Sequence, residues 1–212
     1  MRAVPVLLLL AIAACASHEP ATEPASVREQ LASDTHLYIA AGDSAGAVTA
    51  QMKTATGWNN GLVDLKLDSG QLVARAAPSG AILITTVELG FEDIAIPASL
   101  IGHEAVLRRP HLHLTAPAEA TTTWAGNDAA EATATLALEL SWSIAVDGVA
   151  LPIAAPTLPP LPVKLQLTGA GARITAELRL HVAGELWSWA DLMKLSDLDL
   201  VLGADTPAST VP

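Results

Sequence analysis

"EATATLALELSWSIAVD", Glu131–Asp147, decides the fold. Ala132, Ala134, Leu136, Leu138, Leu140, Trp142, Ile144 and Val146 occupy alternate positions. Glu131, Thr133, Thr135, Glu139, Ser141, Ser143 and Asp147 fall between them. A helix would scatter the two sets around its axis, whereas a strand puts each on one side. A run of this length extends to about 55 Å, beyond a usual strand. It must therefore bend or serve two layers.

The same alternation returns in "ARITAELRLHV", where Ile174, Ala176, Leu178, Leu180 and Val182 oppose Arg173, Thr175, Glu177, Arg179 and His181. It returns at Val63, Leu65 and Leu67, and at Val163, Leu165 and Leu167. Turn signals stand between the runs: Asp68-Ser69-Gly70, Pro78-Ser79-Gly80, Asp147-Gly148 and Gly169-Ala170-Gly171. Asp-Gly between alternating runs marks a tight hairpin, because both residues tolerate positive φ. Short links imply antiparallel neighbours, largely a meander. The segment Pro152–Pro162 interrupts the pattern, and its prolines predict an edge or a crossing loop. We expect one all-β domain over 35–205: an antiparallel sandwich or a strongly curved meander sheet, with long strands and at most short helices. No internal repeat or second domain is visible.

The chain has 212 residues, 51% of them hydrophobic and only 3% aromatic. That length suffices for a sizeable core. Eleven basic residues face 22 acidic ones, a net charge of −11. This balance argues against nucleic-acid binding, which needs clustered positive charge. The scarce aromatics argue against a membrane-spanning barrel, which carries two aromatic girdles.

The chain begins "MRAVPVLLLLAIAAC". Arg2 supplies a positive n-region, and Val4–Ala14 is an apolar run too short to cross a bilayer. Ile12-Ala13-Ala14-Cys15 resembles the lipobox of bacterial lipoproteins. That resemblance covers residues 1–15. It implies removal of residues 1–14 as a signal peptide, and lipidation of Cys15, palmitate included. Ala16 in place of Asp implies the outer membrane. The expected membrane partner is thus reached through Cys15, the only cysteine in the chain. Loss of Arg2 takes the basic count from 11 to 10 against 22 acids, a net of −12. With no second thiol, no disulfide framework forms. Residues 15–34 read as a tether spanning about 25 Å, in which Ser26-x-x-Glu29 matches a capping box. Residues 206–212 read as a polar tail.

Gly42-Asp43-Ser44-Ala45-Gly46 spells G-x-S-x-G. It resembles the nucleophile elbow of hormone-sensitive-lipase-like esterases, which need upstream strands to build sheet and oxyanion loop. Gly42-Asp43-Ser44 also resembles the first block of GDSL-type hydrolases. Asn127 and Asp128 meet part of their later block, but Ala125 replaces its glycine and their final Asp-x-x-His is absent. Without a base a serine is a weak nucleophile. Those enzymes also need helices between parallel strands. Leu37 and Ile39, then Val48, Ala50 and Met52, alternate around the loop, which predicts a hairpin. An envelope serine hydrolase using Ser44 is the alternative function.

His111 and His113 share one face of a strand, a spacing that suits zinc if His103, Glu104 or His181 supplies a third ligand. Leu112 and Leu114 take the other face, and Arg108 and Arg109 oppose a cation, so no metal and no cofactor is expected. In "ELWSWADLMKL", Ser188 to Asp191 matches a capping box and predicts a short helix. Trp187 and Trp189 are the candidate ligand-binding residues, beside a cavity left by small inner residues such as Ala132, Ala134 and Ala176. "GAGAR" at Gly169–Arg173 precedes a strand, which excludes a dinucleotide loop. The expected role is a non-catalytic envelope protein binding a lipid, another hydrophobic ligand or an envelope protein.

Overall fold

The computed structural model describes residues 25–151, 157–189 and 193–207. Fourteen strands follow in chain order: β1 (Thr35–Ile39), β2 (Ala45–Thr54), β3 (Gly57–Leu65), β4 (Leu67–Ala76), β5 (Ile82–Phe91), β6 (Ile94–Ile96), β7 (Ala105–Leu114), β8 (Ala118–Ala125), β9 (Ala129–Leu136), β10 (Leu138–Val146), β11 (Val149–Leu151), β12 (Leu161–Ala170), β13 (Arg173–Trp189) and β14 (Met193–Asp205). Among the described residues, the two α-helices, α1 (Val27–Gln30) and α2 (Ala98–Ile101), are single turns. The fold is all-β and antiparallel, as the alternation requires.

The sheet closes on itself. β5-β4-β1-β14-β13-β12-β9-β8 follow one another, and β8 returns to β5 through Ile82↔Ala120 and Ile84↔Ala118. The result is an eight-stranded barrel, where the sequence pattern predicts a sandwich or a strongly curved meander sheet. Closure rests on a non-local pairing that no local pattern reports. At this strand number side chains can fill the interior. Leu37, Leu72, Ile84, Leu165, Ile174 and Leu202 are buried there. Thr133, Lys164 and Arg179 stand in one row on the outside. Apolar inside and polar outside is the reverse of a membrane-spanning barrel.

Several strands run past the barrel and change partners. The Glu131–Asp147 run is the clearest. β9 lies in the barrel between β8 and β12, the chain breaks step at Ala137, and β10 pairs outside the barrel with β7 and β11. The run thus bends and serves two regions. It ends in the expected hairpin, Asp147 and Gly148 both at positive φ (46° and 79°). β5 likewise pairs β8 at one end and β7 at the other.

Other turns differ. Ala41–Asp43 is a single 3-10 turn, and β1 and β2 do not pair with each other. Both run along β14 in one direction, Ile39 opposite Ala204 and then Ala45 opposite Val201. The predicted hairpin at Ser44 is instead a short excursion from one continuing edge. β3 and β4 return beside it, so the reversal lies between Thr54 and Gly57. Asp68-Ser69-Gly70 is not a turn; it lies in β4, where Gly70 faces Ile39 too closely for a Cβ. The Gly169–Gly171 turn is present, with Gly171 at φ 66°. Pro162 lies in β12 opposite Thr135, before the pairing with β13 begins at Val163. A missing N–H is tolerated at such a strand start.

The folded domain is longer than 35–205. Ser26 and Glu29 form the expected capping box at α1. Val27 and Leu31 are wholly buried and belong to the core. Arg28 N–H donates to the Asn127 carbonyl at 3.1 Å. Ser26–Ala32, placed in the tether by the sequence reading, is thus part of the folded structure. At the other end, Thr206 exchanges hydrogen bonds with Ile174. Cys15, the signal segment, residues 152–156 and 190–192, and 208–212 lie outside the described residues.

Candidate functional site: an apolar cavity between the outer strands

Where the strands leave the barrel, two layers face each other across a cavity of about 100 Å³. β2 and β3 with the ends of β13 and β14 form one wall. β7 and β10, with β6, form the other. Ala50 and Met52 face in from β2, and Met193 and Leu195 from β14. Leu112 and Trp142 face them from β7 and β10. Every lining residue is apolar and no polar surface enters the cavity. α2 packs against this wall: Leu100 lies against Gly61, and Asn59 donates to the Ser99 carbonyl at 3.2 Å.

Two bulges keep these walls apolar. On β14 the inward residues are Met193 and Leu195, then Leu198 and Leu200. The period of two slips once, at Asp197, whose φ is +52°. Without that slip the second pair would face solvent. The Asp197 carboxylate accepts from the Gly184 amide at 2.8 Å and from the Ser196 hydroxyl at 2.9 Å. These donors, the amide first, hold its pKa below the ordinary aspartate value. On β7 the slip is at Arg109 (φ +43°), whose amide donates to Asp93 at 2.9 Å. Leu107 and Leu112 thereby both face the cavity.

Trp187 and Trp189 belong to β13, with Trp187 opposite Leu195 and Trp189 opposite Met193. They are therefore in register with two cavity-lining residues. The helix predicted from Ser188 does not form at its start: Ser188 and Trp189 are strand residues paired with Lys194 and Met193. Pairing with β14 outweighs a local capping pattern.

The remaining candidates lie elsewhere. Ser44 follows the 3-10 turn, and its hydroxyl donates to the Ala40 carbonyl at 2.8 Å. Gly46 is a point of close approach, since a Cβ there would stand 2.5 Å from Leu200 Cδ1. Asn127 and Asp128 sit in the β8–β9 turn beside α1. His111 and His113 point outward, with rings stacked at 6.0 Å. They face Glu88 at 3.1 Å and Glu139 at 3.5 Å. His103 instead pairs Asp147 at 2.9 Å and His181 pairs Asp199 at 3.7 Å, so neither joins them. Among the described residues no group of three or more His, Cys, Asp or Glu is arranged to hold a metal.

Met52, Met193, Trp142 and Leu186 are cavity residues that the sequence reading does not single out. Alternation assigns each to a face, but which strands face each other across a gap is a tertiary fact. No protein family matches the chain, and no curated protein matches its sequence.

Proposed function

We propose that this protein is a lipoprotein of the outer membrane, anchored through lipidated Cys15, whose domain holds part of a hydrophobic ligand between its outer strands. The wholly apolar cavity carries this reading. Water needs polar partners, and an apolar void of roughly this size stays dry and accepts small hydrocarbons. Its volume of about 100 Å³ is below that of ordinary ligand pockets, which enclose about 300–1,000 Å³. It fits a stretch of acyl or other hydrocarbon chain, with the polar end of the ligand left outside. The two methionines add adaptable, polarisable wall. The lipobox resemblance supports the anchor and the envelope location.

The test is saturable binding of a fluorescent fatty acid to the Cys15→Ala protein. Ala50→Leu adds volume to the cavity wall and should weaken binding at least tenfold. Val149→Ser, on an exposed strand outside the cavity, should leave it unchanged. Absence of saturable binding, or indifference to Ala50→Leu, would remove the ligand reading.

A further inference from the structure

The cavity lies at the end of the barrel remote from α1, where the described residues begin. β13 starts at the turn beside α1 and runs 17 residues to Trp189, about 55 Å of extended chain. Its tip and the tip of the β2–β3 hairpin lie side by side: Trp189, Met193, Met52 and Asn59 form one cross-strand row. In the next row of that hairpin, Trp58 stands opposite Lys53. Three of the chain's five tryptophans thus fall in two adjacent hairpin tips.

Two independent observations say what such a tip suits. The first is exposure. Trp58 is 40% exposed and Leu62 67%, two of the few large apolar side chains left open to solvent. Residues 58 and 62 share one face of β3. Lys194 Nζ lies 5.2 Å from the Trp58 ring centroid and 3.2 Å from the Glu185 carboxylate, so the ring stands beside an ion pair, with Lys53 opposite it on β2. Tryptophan favours the boundary between headgroups and acyl chains, where one end of the ring is wet and the other apolar. The second is charge. Ser44–Val63, all of β2 and most of β3, contains no Asp or Glu and one exposed Lys, in a chain with 22 acids; the first acid of the hairpin is Asp64, at the end away from the tip. Within Ser44–Val63 no carboxylate repels phosphate headgroups, and Lys53 attracts them.

We propose that the paired β2–β3 and β13–β14 tips dock on a phospholipid surface through Trp58, Leu62 and Lys53. This contact is separate from the lipidation proposed at Cys15; the described chain begins beside α1, at the other end of β13. It rests on the cavity reading only in its purpose: Met52 and Met193 belong both to the tip and to the cavity wall, so a hydrocarbon chain drawn from a bilayer meets the cavity first there.

The experiment uses the Cys15→Ala protein with phosphatidylcholine vesicles containing phosphatidylglycerol. It should sediment with the vesicles and show a blue shift in tryptophan emission. Trp58→Ala combined with Lys53→Glu should reduce sedimentation at least tenfold, while Val149→Ser, which removes a 63%-exposed apolar residue elsewhere, leaves it unchanged. Near-ultraviolet circular dichroism checks that the double variant is folded. Failure to sediment overturns docking, as does equal loss in Val149→Ser. Fluorescent fatty-acid binding without vesicles reads the cavity alone: docking without fatty-acid binding keeps this proposal and removes the ligand reading. Fatty-acid binding without sedimentation does the reverse.

Discussion

The Gly184 amide donates to the Asp197 carboxylate at 2.8 Å, tying β13 to β14 where both leave the barrel. Asp197 is also the point where the inward face of β14 shifts by one residue, so this bond sits at the junction between barrel core and cavity wall.

A carboxylate with a pKa below 3.8 in the folded chain contributes stability above its unfolded value, and that contribution is lost as pH falls through the folded one. Asp197→Asn keeps the shape and a residue that tolerates positive φ, but removes the charge. The variant should melt at a lower temperature than the parent near neutral pH. The difference should shrink as pH falls below 3.8. A gap independent of pH would show that the charge is not what matters there.

The strand faces predict a second contrast. Leu138 is buried at the start of β10, whereas Glu139 faces solvent and His113. Leu138→Asp buries an unpaired carboxylate and should cost on the order of 3 kcal/mol or more. Glu139→Asp should stay within about 0.5 kcal/mol. Urea midpoints measure both, and equal shifts would contradict the two-face assignment.

Much of the fold was legible because alternation is a local property. The Glu131–Asp147 run shows its faces, its excess length and its closing Asp-Gly turn without any partner strand. The errors have one cause. At Gly42–Gly46 and at Asp68–Gly70 the local chemistry of a turn is present, yet a polar, glycine-containing stretch can also be a bulge or a close approach within a continuing edge. Only the partner decides, here β14 for the first and β5 for the second. Ser188 shows the same limit for helices. The cavity was not legible: Ala132, Ala134 and Ala176, the small inner residues that suggested one, lie in barrel strands β9 and β13, and the cavity wall is mostly Leu, Ile, Val and Met. Its walls come from strands far apart in sequence, such as β2 and β10.

The glycines around Ser44 separate the two readings of that motif. Gly46→Ala must displace Leu200, which also lines the cavity, and overpacking of this kind costs about 1–3 kcal/mol. Gly42→Ala meets nothing within 4 Å and should be close to neutral. A nucleophile elbow would instead need both glycines for activity. A fluorophosphonate should give no labelling that depends on Ser44; labelling abolished in Ser44→Ala would restore the hydrolase alternative.

Trp187 and Trp189 give the last prediction. They stand opposite Leu195 and Met193, and both of those partners line the cavity. Directly opposed residues in an antiparallel pair interact across the strands, so shortening one changes the support of its partner. Trp187→Ala and Trp189→Ala, at register positions opposite Leu195 and Met193, should each weaken fatty-acid binding severalfold. Trp124→Phe is the comparison. Trp124 lies at the α1 end, where its indole N–H donates to the Gly80 carbonyl at 2.7 Å and Arg28 lies over the ring. That change should lower the melting temperature by removing the hydrogen bond, yet leave the affinity of the folded protein unaltered. Equal affinity in all three variants would separate the β13 tip from the cavity.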